Sequence, residues 1–161
     1  MGDHLKASAI SVIVIVIGVI AVAAIGSYYS SMNRDWYEAL RKPAWQPPNR
    51  LFGPVWTLIF ALLAVSLTLI WNARPITGLH YVIIATAVLN GILNIAWSAL
   101  FFGNKLIFPA IYDSLLLCLS VILIMILAWP ISRLASLLLI PYALWTAFAT
   151  YLTSIIYKLN S

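Results

Sequence analysis

The sequence predicts an all-α integral membrane protein, a bundle of five transmembrane helices with a long first loop acting as a lid. Three observations carry that expectation. Hydrophobic residues fill 64% of the 161 positions and charged residues 8%, and the mean hydropathy is +1.04, a composition suited to lipid as the solvent. The apolar residues fall into five runs, each near the roughly 20 residues that a helix needs to cross a hydrocarbon core of about 30 Å. The sparse charges crowd into one segment, 33–50, which holds Arg34, Asp35, Glu38, Arg41, Lys42 and Arg50. Backbone groups in lipid must bond within their own segment, and runs this long and uniformly apolar exclude barrel strands, so each reads as a helix. The chain, 1–161, reads as a single transmembrane domain.

The first span is expected over 7–29. Lys6, the apolar stretch and Ala21-Val22-Ala23 also suit a cleaved leader, but the run continues to Tyr29, past the about 7–15 residues of a leader's apolar region. Lys6 stands where a myristoylation signal needs Ser or Thr. Residues 30–50 then form a loop longer than most connections in compact domains. Asn33 is placed to cap a short helix with Asp35 in its first turn; Trp36, Tyr37 and Leu40 share one face, while Glu38 and Lys42 pair on the other. Pro43 ends that helix, and Pro47-Pro48 holds the return extended. The product is an amphipathic flap at the mouth of the bundle. Its Trp, Tyr, Arg and Lys also suit an interfacial anchor.

The pattern inside the remaining spans favours a lid over a cavity. After a second span at 51–71, the third, at 79–102, repeats Asn90, Asn94 and Trp97 on one helical stripe, and amides in membrane helices face the bundle interior. Ala87, Gly91 and Ser98 form a neighbouring stripe of small residues for close helix contact. The fourth span, 106–129, carries Asp113 and the single Cys118, which has no disulfide partner in the chain. A charged acid at mid-span costs about 2.5–3.5 kcal/mol, so Asp113 is expected to face inward, to be hydrogen-bonded or to be protonated. The fifth span, 134–157, aligns Tyr142, Trp145, Ala149 and Leu152 below Pro141. Together these stripes sketch a pocket walled by aromatic rings with few amides, the character of an apolar ligand site.

Five spans put Lys6, Arg74 and Arg133 on one side and Arg34, Arg41, Lys42, Arg50, Lys105 and Lys158 on the other, three against six. The positive-inside rule then places the N-terminus outside and the lid and C-terminus in the cytoplasm. A net charge of +5 follows from this asymmetry and from anionic headgroups, and gives no case for nucleic acid. His80 sits at the outer end of the third span and His4 in the tail, so no metal site and no nucleophile–base pair is expected. One intramembrane acid makes no proton relay.

The strings WYEALRKPAWQPP, GPVW, LNGILNIAWSALFFG, YDSLL and PYALWTAFATYL, in register over 36–152, resemble the TspO/MBR family, the translocator proteins or peripheral-type benzodiazepine receptors. The resemblance implies a five-helix bundle, a homodimer, and a pocket under the first loop for porphyrins and the synthetic ligand PK11195. Carried over by position, the pocket residues are Trp56, Asn90, Asn94, Trp145 and Ala149, with Tyr37, Pro47 and Pro48 in the lid and Asp113 as the fourth-helix acid. Trp97 and Tyr142 join them from the stripes above. The chain departs from the animal members near the end of the fifth span, where Ser154 replaces the Tyr of their sterol motif and Tyr157 runs directly into Lys158, and at Pro109, which stands in place of a Trp. High-affinity sterol binding is therefore not expected, and a prokaryotic plasma membrane is the expected home.

The leading functional expectation is a membrane receptor or transporter for tetrapyrroles such as protoporphyrin IX, needing no cofactor. Trp56 and Trp145 would stack on the macrocycle while Arg34, Arg41 or Lys42 meets its propionates. The alternatives are a light-dependent porphyrin-degrading enzyme, in which Trp56 and Trp145 would be the chemical participants, and a lipid-handling protein whose pocket holds acyl chains.

Overall fold

A computed structural model describes residues 2–73 and 75–161, with side chains over 9–73 and 75–161. The side chains of His4 and Lys6, and all of Arg74, lie outside the described residues. In chain order the helices are α1 (Gly2–Met32), α2 (Arg34–Ala39), α3 (Phe52–Asn72), α4 (Gly78–Ser98), α5 (Ile107–Ala128), α6 (Arg133–Leu138) and α7 (Ile140–Asn160). Five stretches are long and apolar enough to cross a membrane: Ala9–Met32, Asn49–Asn72, Gly78–Gly103, Ile107–Ala128 and Arg133–Asn160.

Three of these stretches are not single α-helices. The second opens with a 3-10 turn, Asn49–Leu51, ahead of α3. The third continues from α4 through a turn of π-helix, Ala99–Gly103. The fifth is broken at Leu139, where α6 stops and α7 starts with Pro141 in its first turn. Proline suits that position because it lacks an N–H that would have no partner there.

Going round the bundle, α1 packs on α3 and α4, α4 on α5, and α5 on α7, while α3 meets α7 over a narrow seam and is braced by α6. The half farther from the first loop is densely filled. Ile70, Ile83, Val121, Ile124, Ala135 and Leu139 are wholly buried there. Ser66 Oγ donates to the Ala135 carbonyl at 2.8 Å, and Ser136 Oγ to that of Met125 at 2.8 Å, fastening α6 between α3 and α5. The α3–α4 connection is tied by His80, whose Nδ1 accepts from the Thr77 N–H at 3.1 Å, leaving Nε2–H to donate to the Ala73 carbonyl at 3.1 Å.

Glycines bring α1 close to α4. A Cβ on Gly91 would lie 3.0 Å from Val22 Cγ2, and one on Gly103 would lie 3.0 Å from the Tyr29 ring. The Ala87/Gly91 step thus presents its glycine to α1 of the same bundle.

Over the nearer half lies the first loop. Trp36, Tyr37 and Leu40 pack with Trp97, Phe101 and Phe102. The Phe101 ring stands edge-on to Trp36 at 5.7 Å and to Tyr37 at 6.1 Å. Two local expectations are corrected here. Asn33 occupies the N-cap position of α2 without a side-chain capping bond; its Nδ2 instead donates to the carbonyls of Phe102 (2.7 Å) and Gly103 (3.1 Å). Such carbonyls at a helix end need partners, and this remote amide supplies them. Glu38 pairs with Arg34 at 3.6 Å and not with Lys42, whose ammonium donates to the Glu38 carbonyl and sits 4.4 Å from the centre of the Tyr37 ring. At its far end the loop is tied again. The Arg41 N–H donates to Asn160 Oδ1 and Asn160 Nδ2 donates back to the Arg41 carbonyl, both at 2.9 Å.

Candidate functional site

Under that loop the helices enclose a cavity of about 620 Å³, within the roughly 300–1,000 Å³ usual for small-molecule sites. All five spans contribute to its wall, each with its half nearer the loop.

Aromatic rings set its shape. Along α3, Phe52, Trp56 and Phe60 recur every fourth residue and so line one face. The Trp56 ring lies 5.4 Å from Phe60 and edge-on to Tyr142 at 6.0 Å. Adjoining it on α7, Trp145 is edge-on to Phe52 at 5.4 Å, with Ala149 one turn further along the same wall. Small Ala149 beside the bulky indole leaves room for a planar guest. On α4, Trp97 stacks on Phe101 at 5.3 Å with planes 11° apart, so the cavity wall and the underside of the loop form one aromatic assembly. The indole nitrogens of Trp97 and Trp145 are buried without a hydrogen-bond partner.

Next to the cavity is a polar node, and it takes up two of the expected residues. Tyr142, 2% exposed, donates its hydroxyl hydrogen to Asn90 Oδ1 at 2.8 Å. Asn90 Nδ2 donates to Ser120 Oγ at 2.8 Å, and Ser120 Oγ donates to the Leu117 carbonyl at 2.7 Å. Neither Asn90 nor Tyr142 lines the cavity; Tyr142 stands behind the lining residues Trp56 and Asn94. Asn94 does line it, and its Nδ2 reaches the Tyr142 hydroxyl at 3.4 Å. Asp113 also falls off the wall, which α5 builds from its neighbour Ser114 and from Leu117. The Asp113 side chain is partly buried, with Oδ2 enclosed and unpartnered.

From the loop, Arg34, Tyr37, Glu38 and Asn49 reach the cavity, whereas Pro47 and Pro48 do not. Pro48 caps the 3-10 turn Asn49–Leu51 that delivers Asn49. Tyr37 accepts from Gln46 Nε2 at 3.2 Å and donates to Asn49 Oδ1 at 3.4 Å. Burial raises its phenol above the usual tyrosine value, with the Gln46 contact pulling it partly back, so the ring stays protonated. Of the three cations expected at the mouth, Arg34 alone is on the wall. Phe52, Phe60 and Phe102 are wall residues that sequence reasoning missed, although the spacing of Phe52, Trp56 and Phe60 carried the signal.

The class these features define is a five-span membrane protein with a loop-covered, aromatic ligand cavity. The chain belongs to the TspO/MBR family, whose model matches residues 11–158. It is 35% identical over 156 residues to the tryptophan-rich protein TspO of Bacillus cereus, covering 97% of this chain and 99% of that one. To the protein of the same name in Chlorobaculum tepidum it is 36% identical over 146 residues, 88% of this chain and 90% of the other. To the human translocator protein it is 31% identical over 128 residues, 78% of this chain and 75% of the other.

Proposed function

We propose that the protein is a membrane receptor or carrier for a flat, apolar, anionic tetrapyrrole such as protoporphyrin IX. The observation that carries this reading is the placement of Arg34 at the mouth of a cavity walled by Trp56, Trp97 and Trp145. Indole faces suit an extended π-system, and a guanidinium suits a carboxylate. Arg34 pairs with Glu38, an exposed pair of the kind worth little, so a propionate can displace Glu38.

Among the described residues, the imidazole, thiol and phenol that could take iron are otherwise engaged. His80 is engaged at the distant α3–α4 connection, Cys118 Sγ donates to the Ala143 carbonyl at 3.7 Å away from the cavity wall, and Tyr37 keeps its proton. With none of these serving as an axial ligand, metal-free porphyrin is expected to bind at least as well as haem. The experiment is a tryptophan-fluorescence titration of the purified protein with protoporphyrin IX, haem and cholesterol. Saturable quenching by protoporphyrin in the micromolar range is the expected result. Its absence, or a much tighter haem complex with a six-coordinate spectrum, overturns the reading.

The enzyme alternative rests on Trp56 and Trp145 sharing the wall, where an indole can give an electron to a photoexcited macrocycle. Under illumination a carrier bleaches its ligand without turnover. An enzyme converts more than one equivalent of porphyrin to a defined product and loses that ability in Trp145→Phe.

Two further proposals concern assembly and orientation. A homodimer, if formed, uses a surface other than Gly91, which faces Val22. The end bearing Arg34, Arg41, Lys42, Arg50, Lys105 and Lys158 is assigned to the cytoplasm of a prokaryotic cell.

A further inference from the structure

Beside the ligand cavity, and sharing no residue with it, a groove of about 240 Å³ runs between the start of α5 and the end of α7. Lys105, Phe108, Pro109, Tyr157 and Asn160 are among its lining residues. Because α5 begins at Ile107 and α7 ends at Asn160, the groove sits where spans emerge, at headgroup depth.

Its walls are apolar and continuous with the outer surface of the bundle. The Phe108 ring lies 5.3 Å from Tyr157 and 5.2 Å from Tyr112, and Phe108 and Tyr112 are both exposed. The rim is basic. Lys105 is the cation among the lining residues, the lining Asn160 bonds the Arg41 backbone and so brings that residue to the groove, and Lys158 stands in the last turn of α7. Among the described residues no carboxylate side chain lines the groove. Glu38 lies on the ligand cavity, and Asp113 lies one turn deeper along α5 than Pro109, below the level of the cations.

Lys105 is held at φ 60°, the one non-glycine in the left-handed region among the described residues. Glycine or asparagine adopts that conformation at least cost, and both precede it in the chain. Gly103 is committed to its contact with Tyr29, and Asn104 returns its side chain to the Ala99 carbonyl at 3.0 Å. A long cation thus occupies a strained position at the rim of an aromatic groove, the kind of outlier from which function is inferred.

We propose that this groove binds the headgroup of an anionic phospholipid, with Lys105 and Arg41 meeting the phosphate and the first acyl carbons lying along Phe108, Pro109 and Tyr157. The cations supply charge complementarity, and the apolar walls single out a lipid over a free anion, which would gain nothing from them. Since Arg41 belongs to the first loop and Lys105 to the α4–α5 connection, a bound headgroup bridges the two. This inference is independent of what the cavity binds.

The test is native mass spectrometry of the full chain taken from vesicles of equal phosphatidylglycerol and phosphatidylcholine. The wild type should retain one phosphatidylglycerol in preference to phosphatidylcholine. Lys105→Asn, which removes the charge and tolerates the left-handed backbone, should lower that retention about fivefold. Arg41→Gln, which leaves the Asn160 bonds intact, gives the same readout should Lys105→Asn fail to fold. Arg133→Gln, at the other end of the bundle, should change nothing. Equal retention of the two lipids, equal loss in Arg133→Gln, or displacement of the lipid by inorganic phosphate would each sink the assignment.

Discussion

Asn90 and Asn94 stand one turn apart on the same face of α4, yet they belong to different parts of the molecule. Asn90 is 1% exposed and bonded on both sides of its amide. Asn94 lines the cavity, with a long 3.4 Å contact to Tyr142. Below the boundary between them, polar groups are used up in holding helices together. Above it, groups are left over for a guest. Residue type does not separate the two roles; the presence or absence of an internal partner does.

Substitutions on either side of that boundary should give opposite signatures. Asn90→Leu leaves the Tyr142 hydroxyl hydrogen without its acceptor and removes the donor to Ser120 Oγ, and should cost about 2 kcal/mol of stability, read as a lower unfolding midpoint, with ligand affinity per folded molecule unchanged. A loss of affinity at full stability would break the comparison. Ala149→Leu should do the reverse. Overpacking of about 1–3 kcal/mol falls on the space the guest needs, so affinity should drop tenfold or more with little change in the midpoint. Unaltered binding would put the site elsewhere.

Smaller effects should sharpen the picture at the loop. Asn33→Ala removes the donor to Phe102 and Gly103, worth about 1 kcal/mol, and stopped-flow release of a bound porphyrin should speed up about fivefold while the bundle keeps its stability. An unchanged release rate would mean the loop does not limit exit. Smallest of all, Glu38→Gln frees Arg34 from its exposed partner and should tighten binding of an anionic porphyrin about twofold, with no effect on a neutral one.

How much of this was legible beforehand depends on how local the cause was. Hydropathy runs gave the spans, because burial in lipid constrains each segment by itself. The break at Leu139 was marked by Pro141 but not read, since a proline in an apolar run signals either a kink or a new start. Periodicity placed Trp145, Ala149 and Asn94 on inward stripes, but it could not separate Asn90 and Tyr142, whose partners Ser120 and Asn90 come from other helices. Asn33 was read as a cap because capping is a neighbour's business; its actual acceptors lie 69 and 70 residues away. Glu38 had a cation four residues to either side, and the choice fell to Arg34 because Lys42 had gone to the Tyr37 ring.

Both ties that hold the loop are carboxamides, and carboxamides age. Asn33 and Asn160 each direct Nδ2 at two carbonyls. Hydrolysis of either amide to a carboxylate would turn those donors into acceptors facing oxygens, with a negative charge added. The exposed Asn160, followed by the small Ser161, is the more vulnerable. A preparation kept warm at mildly alkaline pH would therefore loosen its strap by slow chemistry alone, leaving the aromatic packing of the loop in place, and storage history would enter any measurement of how fast the cavity fills and empties.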